Sequence, residues 1–423
     1  MVYPFSRFRK NAGKTVRDVR SFVVPHVHAR EPLKIAQTNV CAVIPTYAPG
    51  PLTYRLAADL VRWNPGIYIY IVDDSTPRQY LDCMKILEDV ILISDKIRVV
   101  RTPANKLKAG ALNVALSHIW SDTTYVPDVI LTLDDDVVIE RATISNLAGE
   151  LMSCACLGAV CSQCRVLNKN KNLLTRLQGL EYVGFNAIRL ADEGFLNGPL
   201  VMHGMLTAFR ANALKEVGGF REGHLIEDYE VTTRLKAKGW SVKSARHAPA
   251  WTMVPERLSR FWRQRTRWSY GGITVVARAK RLSSIFQDIM GHTVFLATLA
   301  MVAYLLFFAR GGGFVPPTVS RLIITLSFVQ LAVWYIFQIW LMRLYEERDG
   351  YDWLLRLSLI PEFVYGYAMT FALLGSYVFL VFNGVRHTVK KTRFRKIHGL
   401  FDTGRHIFRI CGYTEGAWGT RVR

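Results

Sequence analysis

Three adjacent carboxylates, Asp134, Asp135 and Asp136, follow the hydrophobic segment Asp128–Leu133. Like charges at this separation repel one another, and a divalent cation removes that cost. Alternation along an extended backbone places Asp134 and Asp136 on the same side, and Mg²⁺ or Mn²⁺ takes one or two carboxylates together with phosphate oxygens. A solvated acidic turn is the alternative. The pattern predicts Asp134 and Asp136 as ligands of a divalent metal beside a phosphate group.

A second acidic pair, Glu227 and Asp228, lies near the start of a helical run that begins with His224-Leu225-Ile226 and extends to Lys238, before Gly239. The helix dipole favours a carboxylate in the first turn as a capping group. The same carboxylate could act as a general base beside a hydroxyl group. The sequence alone leaves these two roles open.

Polar residues also follow two earlier β-rich segments and begin one helix. Thr46 ends the first segment, and Asp73 and Asp74 follow the second, although an aspartate after a strand usually forms only a turn. Lys108 precedes the small residues 109–111 at a predicted helix start, where free backbone N–H groups and a lysine favour an anion. An ordinary glycine-containing helix start is the alternative interpretation.

The arginine-rich segment Pro255–Gly272 predicts a basic amphipathic helix. Leu258, Phe261 and Trp262 fall at i, i+3 and i+4 among the arginines. Such a pattern is typical of a helix that lies in a membrane interface.

Gln264, Arg267 and Trp268 have the same spacing and share a second face of that helix. An arginine can bind a pyrophosphate and an indole can stack on a sugar ring. A membrane anchor alone explains the first face of the helix but not the second.

The segments that must position these residues alternate in type between residues 37 and 250. Short buried strands that alternate with helices predict a largely parallel α/β sheet, whose ligands bind at the carboxyl ends of the strands. Thr46, Asp73 and Asp134 lie at such ends. The predicted strands are Asn39–Ile44, Ile67–Val72, Ile97–Val100 and Asp128–Leu133, and the predicted helices include Leu52–Trp63 and Ala109–Trp120.

Three stretches without charged residues predict a transmembrane region over residues 283–385. They cover residues 291–309, 322–342 and 363–385 and are 19, 21 and 23 residues long. About 20 residues cross a bilayer as a helix. Buried core helices are the alternative, but three such stretches within 100 residues favour membrane insertion.

Basic residues are concentrated at the two ends of the chain. Residues 1–36 hold eight Lys or Arg against two acids, and residues 386–423 hold ten against two, so the ends supply +6 and +8 of the net charge of +21. The positive-inside rule places both ends in the cytoplasm. Two cytoplasmic ends need an even number of crossings, whereas three stretches are visible. Either one stretch does not cross the membrane as a regular helix, or a fourth crossing is hidden. The third stretch is the favoured irregular one, because Pro361 and Glu362 precede it.

The overall composition limits the classes of partner. Half of the 423 residues are hydrophobic, which excludes a disordered chain. A net charge of +21 suits a nucleic acid, an anionic membrane or a phosphorylated substrate. No nucleic-acid motif is present, and the basic ends flank the membrane stretches, so we expect a lipid bilayer as partner and no nucleic acid. The oligomeric state is not predicted.

Four cysteines, Cys154, Cys156, Cys161 and Cys164, lie within 11 residues. Their spacing is not that of a usual zinc finger or ribbon, and the residues around them are apolar. We therefore expect buried free thiols at these positions.

In order along the chain, these motifs resemble those of the family 2 inverting glycosyltransferases. More narrowly, they resemble the processive membrane polysaccharide synthases that make cellulose, chitin, hyaluronan or poly-N-acetylglucosamine. The resemblance covers residues 38–275 motif by motif. It implies a GT-A type α/β domain over residues 37–250, an interfacial helix over 251–282 and a small helical transmembrane region. The motifs are Asp73-Asp74, Lys108–Asn113, Asp134-x-Asp136, Glu227-Asp228 and Gln264-x-x-Arg267-Trp268.

The resemblance also implies a role for each matching residue. Asp228 would be the catalytic base, with Glu227 beside it, and Asp134 and Asp136 would bind Mg²⁺ or Mn²⁺. Residues that would hold the nucleotide are Thr46, Asp73, Asp74, Lys108 and Asp134. Gln264, Arg267 and Trp268 would bind the acceptor and the diphosphate, and Trp418, Thr420 and Arg421 of a W-G-T-R segment would return to the active site.

The expected reaction is transfer from a UDP-sugar, first of all UDP-N-acetylglucosamine, to a growing β-linked polysaccharide. The enzyme would be an integral protein of the plasma or inner membrane with a cytoplasmic catalytic domain. Two departures favour the alternative, a non-processive family 2 transferase that adds one or a few sugars to a lipid or protein. Ile226 replaces the usual threonine before Glu227, and no transmembrane helix is seen before the catalytic domain.

Overall fold

The computed structural model describes residues 38–192, 197–279, 289–293, 295–297, 300, 316–358, 360–390 and 395–413. The basic segment 1–36, most of the stretch 291–309 and the residues Trp418, Thr420 and Arg421 lie outside these ranges. All structural statements below concern the described residues.

An eight-stranded mixed sheet forms the centre of the molecule. Its strand order is β3-β2-β1-β4-β7-β6-β8-β5. The first half, β3-β2-β1-β4, is parallel, β7 is antiparallel to both β4 and β6, and β8 pairs in parallel with β6. The strands are β1 (Val40–Thr46), β2 (Tyr68–Asp73), β3 (Ile97–Arg101), β4 (Val129–Leu133), β5 (Val138–Ile139), β6 (Leu157–Val166), β7 (Leu206–Arg210) and β8 (Ser241–Thr252).

Apolar, β-branched residues determine the central strands. Every residue of β1 and β4 is buried, because helices cover both faces of the sheet. One layer holds α1 (Pro51–Trp63), α2 (Leu81–Ile91), α4 (Thr143–Met152) and α5 (Leu173–Ala191), and the opposite layer holds α3 (Leu107–Ser121), α6 (Ala211–Glu216) and α7 (Glu227–Ala237). The four predicted strands and the predicted helices Leu52–Trp63 and Ala109–Trp120 are confirmed to within two residues at each end. The basic helix predicted over Pro255–Gly272 instead runs over Leu258–Arg278.

Helix α8 (Leu258–Arg278) follows the sheet, packs against one later helix and contacts the turn after another. Phe261 of α8 contacts Tyr365, and Tyr270 contacts Phe379, with ring centroids 5.2 and 4.8 Å apart. The indole of Trp262 donates to the carbonyl of Cys411 at 2.8 Å. Phe261, which was expected in a membrane interface, is therefore buried within the protein, whereas Trp262 is half-buried and Leu258 is exposed. The later helices are α9 (Pro317–Leu341), α10 (Gly350–Ser358), α11 (Ile360–Lys390) and α12 (Arg395–Ile410).

Two helices among the described residues are long and apolar enough to cross a membrane. They correspond to Arg321–Leu344 and Ile360–Val389. The first carries exposed apolar side chains around its circumference, whereas the second packs one face against α8 and α12. They match the second and third stretches predicted from the sequence.

An acidic segment, residues 346–352, joins α9 to the first turn of α10 and docks on the sheet domain. Asp352 is fully buried and accepts hydrogen bonds from Lys169 Nζ at 3.0 Å and Arg176 Nη1 at 2.9 Å. At the edge of this contact, Arg165 pairs with the exposed Glu346 at 2.6 Å. These ion pairs fix the end of α9 and the start of α10 on the sheet domain.

The cysteine prediction is half wrong. Cys161 and Cys164 are buried free thiols on β6, as expected. Cys154 and Cys156 instead form a disulfide in the turn that precedes this strand, where Cys156 is exposed. The prediction rested on the apolar residues around the four cysteines, but Cys154 and Cys156 lie in a turn outside the core.

Candidate active site

Lys108 is the charged centre of the site. It lies in the first turn of α3, and its Nζ is 2.6 Å from Asp134 Oδ1 and 3.1 Å from Glu227 Oε1. Nζ also donates a hydrogen bond to the carbonyl of Gly204 at 2.9 Å. Burial by itself lowers the pKa of Lys108, but Asp134 and Glu227 outweigh it and the pKa is raised. The charged ammonium therefore joins the end of β4, the approach to β7 and the start of α7.

Glu227 and Asp228 occupy the first turn of α7, as predicted. Burial raises the pKa of Asp228 to about 6, and the negative charge of Glu227 adds to this effect. Burial also disfavours ionised Glu227, but the nearby Lys108 outweighs it and the pKa of Glu227 is lowered. The pair thus combines an ionised Glu227 with an Asp228 whose pKa lies near neutral pH, which suits a general base.

Gly204 leaves the space in which these side chains meet. A Cβ atom on Gly204 would lie 2.7 Å from Lys108 Nζ and 3.1 Å from Asp228 Oδ2, closer than a side chain tolerates. Asp228 Oδ1 accepts a hydrogen bond from the backbone N–H of Tyr229 at 2.7 Å. A small cavity borders Lys108, Gly204 and Asp228 and has Phe220 in its wall. The carboxylate of Asp228 therefore lies at a cavity beside the lysine.

The three aspartates after β4 differ in their surroundings. Asp135 is buried and accepts a hydrogen bond from Thr46 Oγ1 at 2.6 Å. Asp134 and Asp136 are both half-buried, in a turn that the backbone N–H of Val137 closes by donating to the carbonyl of Asp134 at 3.3 Å. The chain is therefore not extended here, and the placement of Asp134 and Asp136 on one side stays a prediction. Burial raises the pKa of Asp134, against the opposing effect of Lys108. Thr252 Oγ1 donates to Asp136 Oδ1 at 3.1 Å.

The donor set of Asp134 and Asp136 fits a divalent cation. No group of three or more His, Cys, Asp or Glu that could hold a metal is found in the described ranges. Two carboxylates are nevertheless sufficient for Mg²⁺ or Mn²⁺, because these ions bind one or two carboxylates and complete their shell with phosphate oxygens and water. Both side chains are partly open to solvent, which leaves room for such a shell.

The polar residues at the ends of β1 and β2 form hydrogen bonds or ion pairs within the protein. Asp73 Oδ2 lies 3.0 Å from Arg101 Nη1. Asp74 Oδ1 accepts hydrogen bonds from Thr102 Oγ1 at 2.9 Å and from the backbone N–H of Lys106 at 2.8 Å. Asp74 thereby positions the segment that leads to Lys108.

The three residues of the predicted motif on α8, Gln264, Arg267 and Trp268, do not all contact the same neighbour. Arg267 Nη1 donates to the carbonyl of Leu225 at 3.4 Å, two residues before Glu227. Gln264 and Trp268 both contact Arg265, with Gln264 Oε1 accepting from Nη1 at 2.9 Å and the Trp268 ring centroid 4.1 Å from Cζ. Arg267 thus contacts the loop that leads to the acidic pair, while Gln264 and Trp268 contact Arg265.

Ile226 is accommodated by a glycine on α8. A Cβ on Gly271 would lie 2.3 Å from Ile226 Cγ1 and 3.2 Å from Leu225 Cβ. Only a glycine allows the helix to approach this closely, so Ile226 fills the space against α8. The departure from the family's threonine therefore has a packing reason.

Asn113 ends the Lys108–Asn113 motif but was given no role of its own, and His203 was not singled out. The amide of Asn113 holds the backbone of Phe220 in two hydrogen bonds, at 2.7 and 2.9 Å, and so ties α3 to the loop before α7. His203 is buried next to Gly204, with Nε2 2.6 Å from the carbonyl of Ser162. Burial lowers the pKa of His203 to about 3, and the positive charge of Arg189 adds to this effect, so the ring is neutral. Its proximity to the site depends on long-range pairing that no local pattern signals.

A model for glycosyl transferase family group 2 matches residues 129–383. This match covers more than half of the 423 residues. The chain belongs to this family. The mixed sheet with the acidic cluster at its strand ends is the GT-A type fold that was predicted.

Curated relatives of this family member include two poly-β-1,6-N-acetyl-D-glucosamine synthases. The one from Staphylococcus epidermidis is 27% identical over 223 residues, which is 50% of this chain and 52% of that protein. The one from Staphylococcus aureus (strain COL) is 28% identical over 174 residues, 41% and 40% of the two chains. The chain therefore spans about half the length of these relatives, and the predicted similarity to polysaccharide synthases is confirmed.

One solved structure has a similar fold over most of the chain. It is a mannosyltransferase from Pyrobaculum calidifontis in complex with GDP-Man and Mn²⁺. The TM-score is 0.52 at 18% identity, with 80% of this chain and 94% of that chain covered. At this identity the likeness concerns the fold.

Proposed function

We propose that this protein is a membrane-bound, inverting, metal-dependent glycosyltransferase that extends a β-linked polysaccharide from a UDP-sugar. The observation that carries the proposal is the ammonium of Lys108, which bridges Asp134 and Glu227. Beside it lies Asp228, whose pKa is raised to about 6. The similarity to poly-β-1,6-N-acetyl-D-glucosamine synthases supports UDP-N-acetylglucosamine as the donor.

Asp228 is the general base of the proposed reaction. It takes the proton of the acceptor hydroxyl while the hydroxyl oxygen attacks the anomeric carbon of the donor sugar. The bond from this carbon to the phosphate oxygen breaks on the opposite face, so UDP leaves and the anomeric configuration inverts. Lys108 and Arg267 offset the negative charge that develops on the departing diphosphate.

Thr46, Asp73 and Asp74 form the nucleotide end of the proposed site. Asp134 and Asp136 would hold a divalent cation, which neutralises diphosphate charge when bound. The Mn²⁺ complex of the structurally similar mannosyltransferase supports this choice of ion.

Gln264, Arg267 and Trp268 face the acceptor end in this proposal. The indole would stack on the terminal sugar of the polysaccharide. The catalytic domain would lie at the cytoplasmic face of the plasma or inner membrane, with the product leaving between the apolar helices. The W-G-T-R segment with Trp418, Thr420 and Arg421 would contribute to the same site.

Product sizing tests the proposed function. Purified protein in lipid vesicles is supplied with radiolabelled UDP-N-acetylglucosamine, UDP-glucose or UDP-glucuronate, singly and in pairs, with Mg²⁺ or Mn²⁺. A long polymer from UDP-N-acetylglucosamine alone is expected. Products of one or two sugars would establish the non-processive alternative, and a polymer only from a pair of donors would assign an alternating product. No UDP release from any donor would overturn the proposal.

A further inference from the structure

Arg265 on α8 is a fully buried cation that connects three helices. Its guanidinium forms an ion pair with Glu181 of α5 and lies 3.3 Å from the hydroxyl of Tyr365 on α11. The Tyr365 hydroxyl donates to the same carboxylate of Glu181 at 2.6 Å. A buried ion pair of this kind by itself adds little stability, because desolvation offsets much of the attraction. Its contacts within α8 suggest a further role.

Arg265 also contacts two of the three motif residues on its own helix. Its Nη1 donates to Gln264 Oε1 at 2.9 Å, so the carbonyl oxygen of this amide faces the arginine and the NH₂ group points elsewhere. Its Cζ lies 4.1 Å from the centroid of the Trp268 ring, so the guanidinium covers one face of the indole. A sugar can therefore stack only on the opposite face.

We propose that Arg265 is a positioning residue that orients Gln264 and Trp268 for the acceptor sugar. This inference rests on the proposed function and deepens it, because it states how the acceptor end of the site is held. The amide presents its NH₂ donors to acceptor hydroxyls, and the indole presents one fixed face to the terminal ring. Glu181 anchors the guanidinium from outside the helix, so the orientation depends on the contact between α5 and α8.

The variant Arg265→Lys distinguishes a positioning role of Arg265 from a role in ion pairing alone. Lysine keeps a positive charge for Glu181 but has no planar fork, so it cannot bind Gln264 and cover Trp268 together. Tyr365→Phe is the matched control, because it removes a hydroxyl that lies 3.3 Å from Arg265 and leaves the ion pair with Glu181 and both contacts of Arg265 within α8 intact.

The test labels the full-length protein with 5-fluorotryptophan and follows the ¹⁹F resonance of Trp268, assigned with Trp268→Phe. Arg265→Lys is expected to shift or broaden this resonance without any ligand. It should also weaken binding of a β-1,6-linked N-acetylglucosamine tetrasaccharide about tenfold, the size of a lost cation–π and orienting contact. The affinity for UDP should change less than about twofold. Tyr365→Phe should leave the resonance and both affinities near the wild-type values.

The proposal is overturned if Arg265→Lys leaves the Trp268 resonance and tetrasaccharide affinity unchanged, or if it weakens UDP and tetrasaccharide binding equally. If Arg265→Lys does not fold, Glu181→Gln replaces it and must still shift the resonance, since it loosens the anchor of the guanidinium. The ¹⁹F signal needs no turnover. Wild-type protein that releases no UDP would therefore overturn the proposed function while the positioning role is still tested.

Discussion

Lys108 Nζ lies 2.6 Å from Asp134 Oδ1, across the gap between the start of α3 and the end of β4. The same ammonium reaches Glu227 at 3.1 Å, so one cation holds together the proposed metal-binding and base-bearing segments. Two acidic segments this close would repel each other without a cation between them. The contact links the nucleotide end of the site to its catalytic end.

Lys108→Met is expected to abolish transfer and to weaken UDP binding at least tenfold, because the two carboxylate segments lose their shared cation. The measurements are UDP affinity by calorimetry and UDP release with UDP-N-acetylglucosamine. Lys106→Met is the control, since the exposed Lys106 contacts Asp74 through its backbone N–H and not its side chain. Equal activity in the two variants would contradict the bridging role.

The raised pKa of Asp228, about 6, predicts an acid limb in the rate profile. Transfer should fall tenfold per pH unit below about pH 6, because the protonated carboxyl cannot accept a proton. The profile of kcat/KM between pH 5 and 8 checks this, and a flat profile would argue against a carboxylate base.

The raised pKa of Asp228 also predicts how the stability of the fold changes with pH. A carboxyl whose pKa is higher in the folded than in the unfolded chain favours folding below its unfolded value, about 3.9, and this contribution is lost as the pH rises through about 6. Asp228→Asn should therefore raise the melting temperature at pH 8 and have less effect at pH 5. A variant that lowers the melting temperature at pH 8 would show that the ionised carboxylate is stabilising.

Adjacent glycines on α8 allow a matched comparison. Gly271→Ala places a methyl group 2.3 Å from Ile226 Cγ1, whereas at Gly272 the nearest atom, of Tyr229, is 4.0 Å away. Gly271→Ala should cost about 1–3 kcal/mol and displace the loop before Glu227, which lowers kcat. Gly272→Ala should be neutral or stabilising by up to about 1 kcal/mol. Thermal unfolding and turnover of the two variants measure this difference, and equal effects would contradict the close packing.

Much of this fold follows from local sequence patterns. The β-rich runs around Val40–Thr46 and Val129–Leu133 are apolar enough to be buried on both faces, and the carboxylates after β4 mark the end of that strand. These features were predictable because each depends on nearby residues only.

The rest depends on contacts between distant segments. Lys108 and Glu227 are more than 100 residues apart, and nothing in either motif signals that their side chains meet. The antiparallel placement of β7 brings Gly204 between them. Arg265 appeared as one of several arginines in a basic helix, and only the packing of α5 and α11 shows that it is buried.

The acidic segment, residues 346–352, offers a test of how the sheet domain is attached to the apolar helices. Asp352→Asn should destabilise the protein by about 3 kcal/mol, because it leaves the cations of Lys169 and Arg176 with less negative charge at a buried position. Glu346→Gln, at a carboxylate that is 73% exposed, should cost at most about 1 kcal/mol. Thermal unfolding in detergent compares the two, and a neutral Asp352→Asn would show that the docking is weak.

The most direct test of the central claim is a paired measurement on Asp228→Asn. Asparagine keeps the size of the side chain but cannot take a proton, so transfer from UDP-N-acetylglucosamine should fall by about 10²–10⁴-fold. UDP affinity in the presence of Mn²⁺ should stay within about threefold of wild type, because Asp134 and Asp136 are unchanged. Loss of transfer with intact UDP binding is the predicted result. Retained transfer, or loss of UDP binding together with transfer, would contradict the assignment of Asp228 as the base.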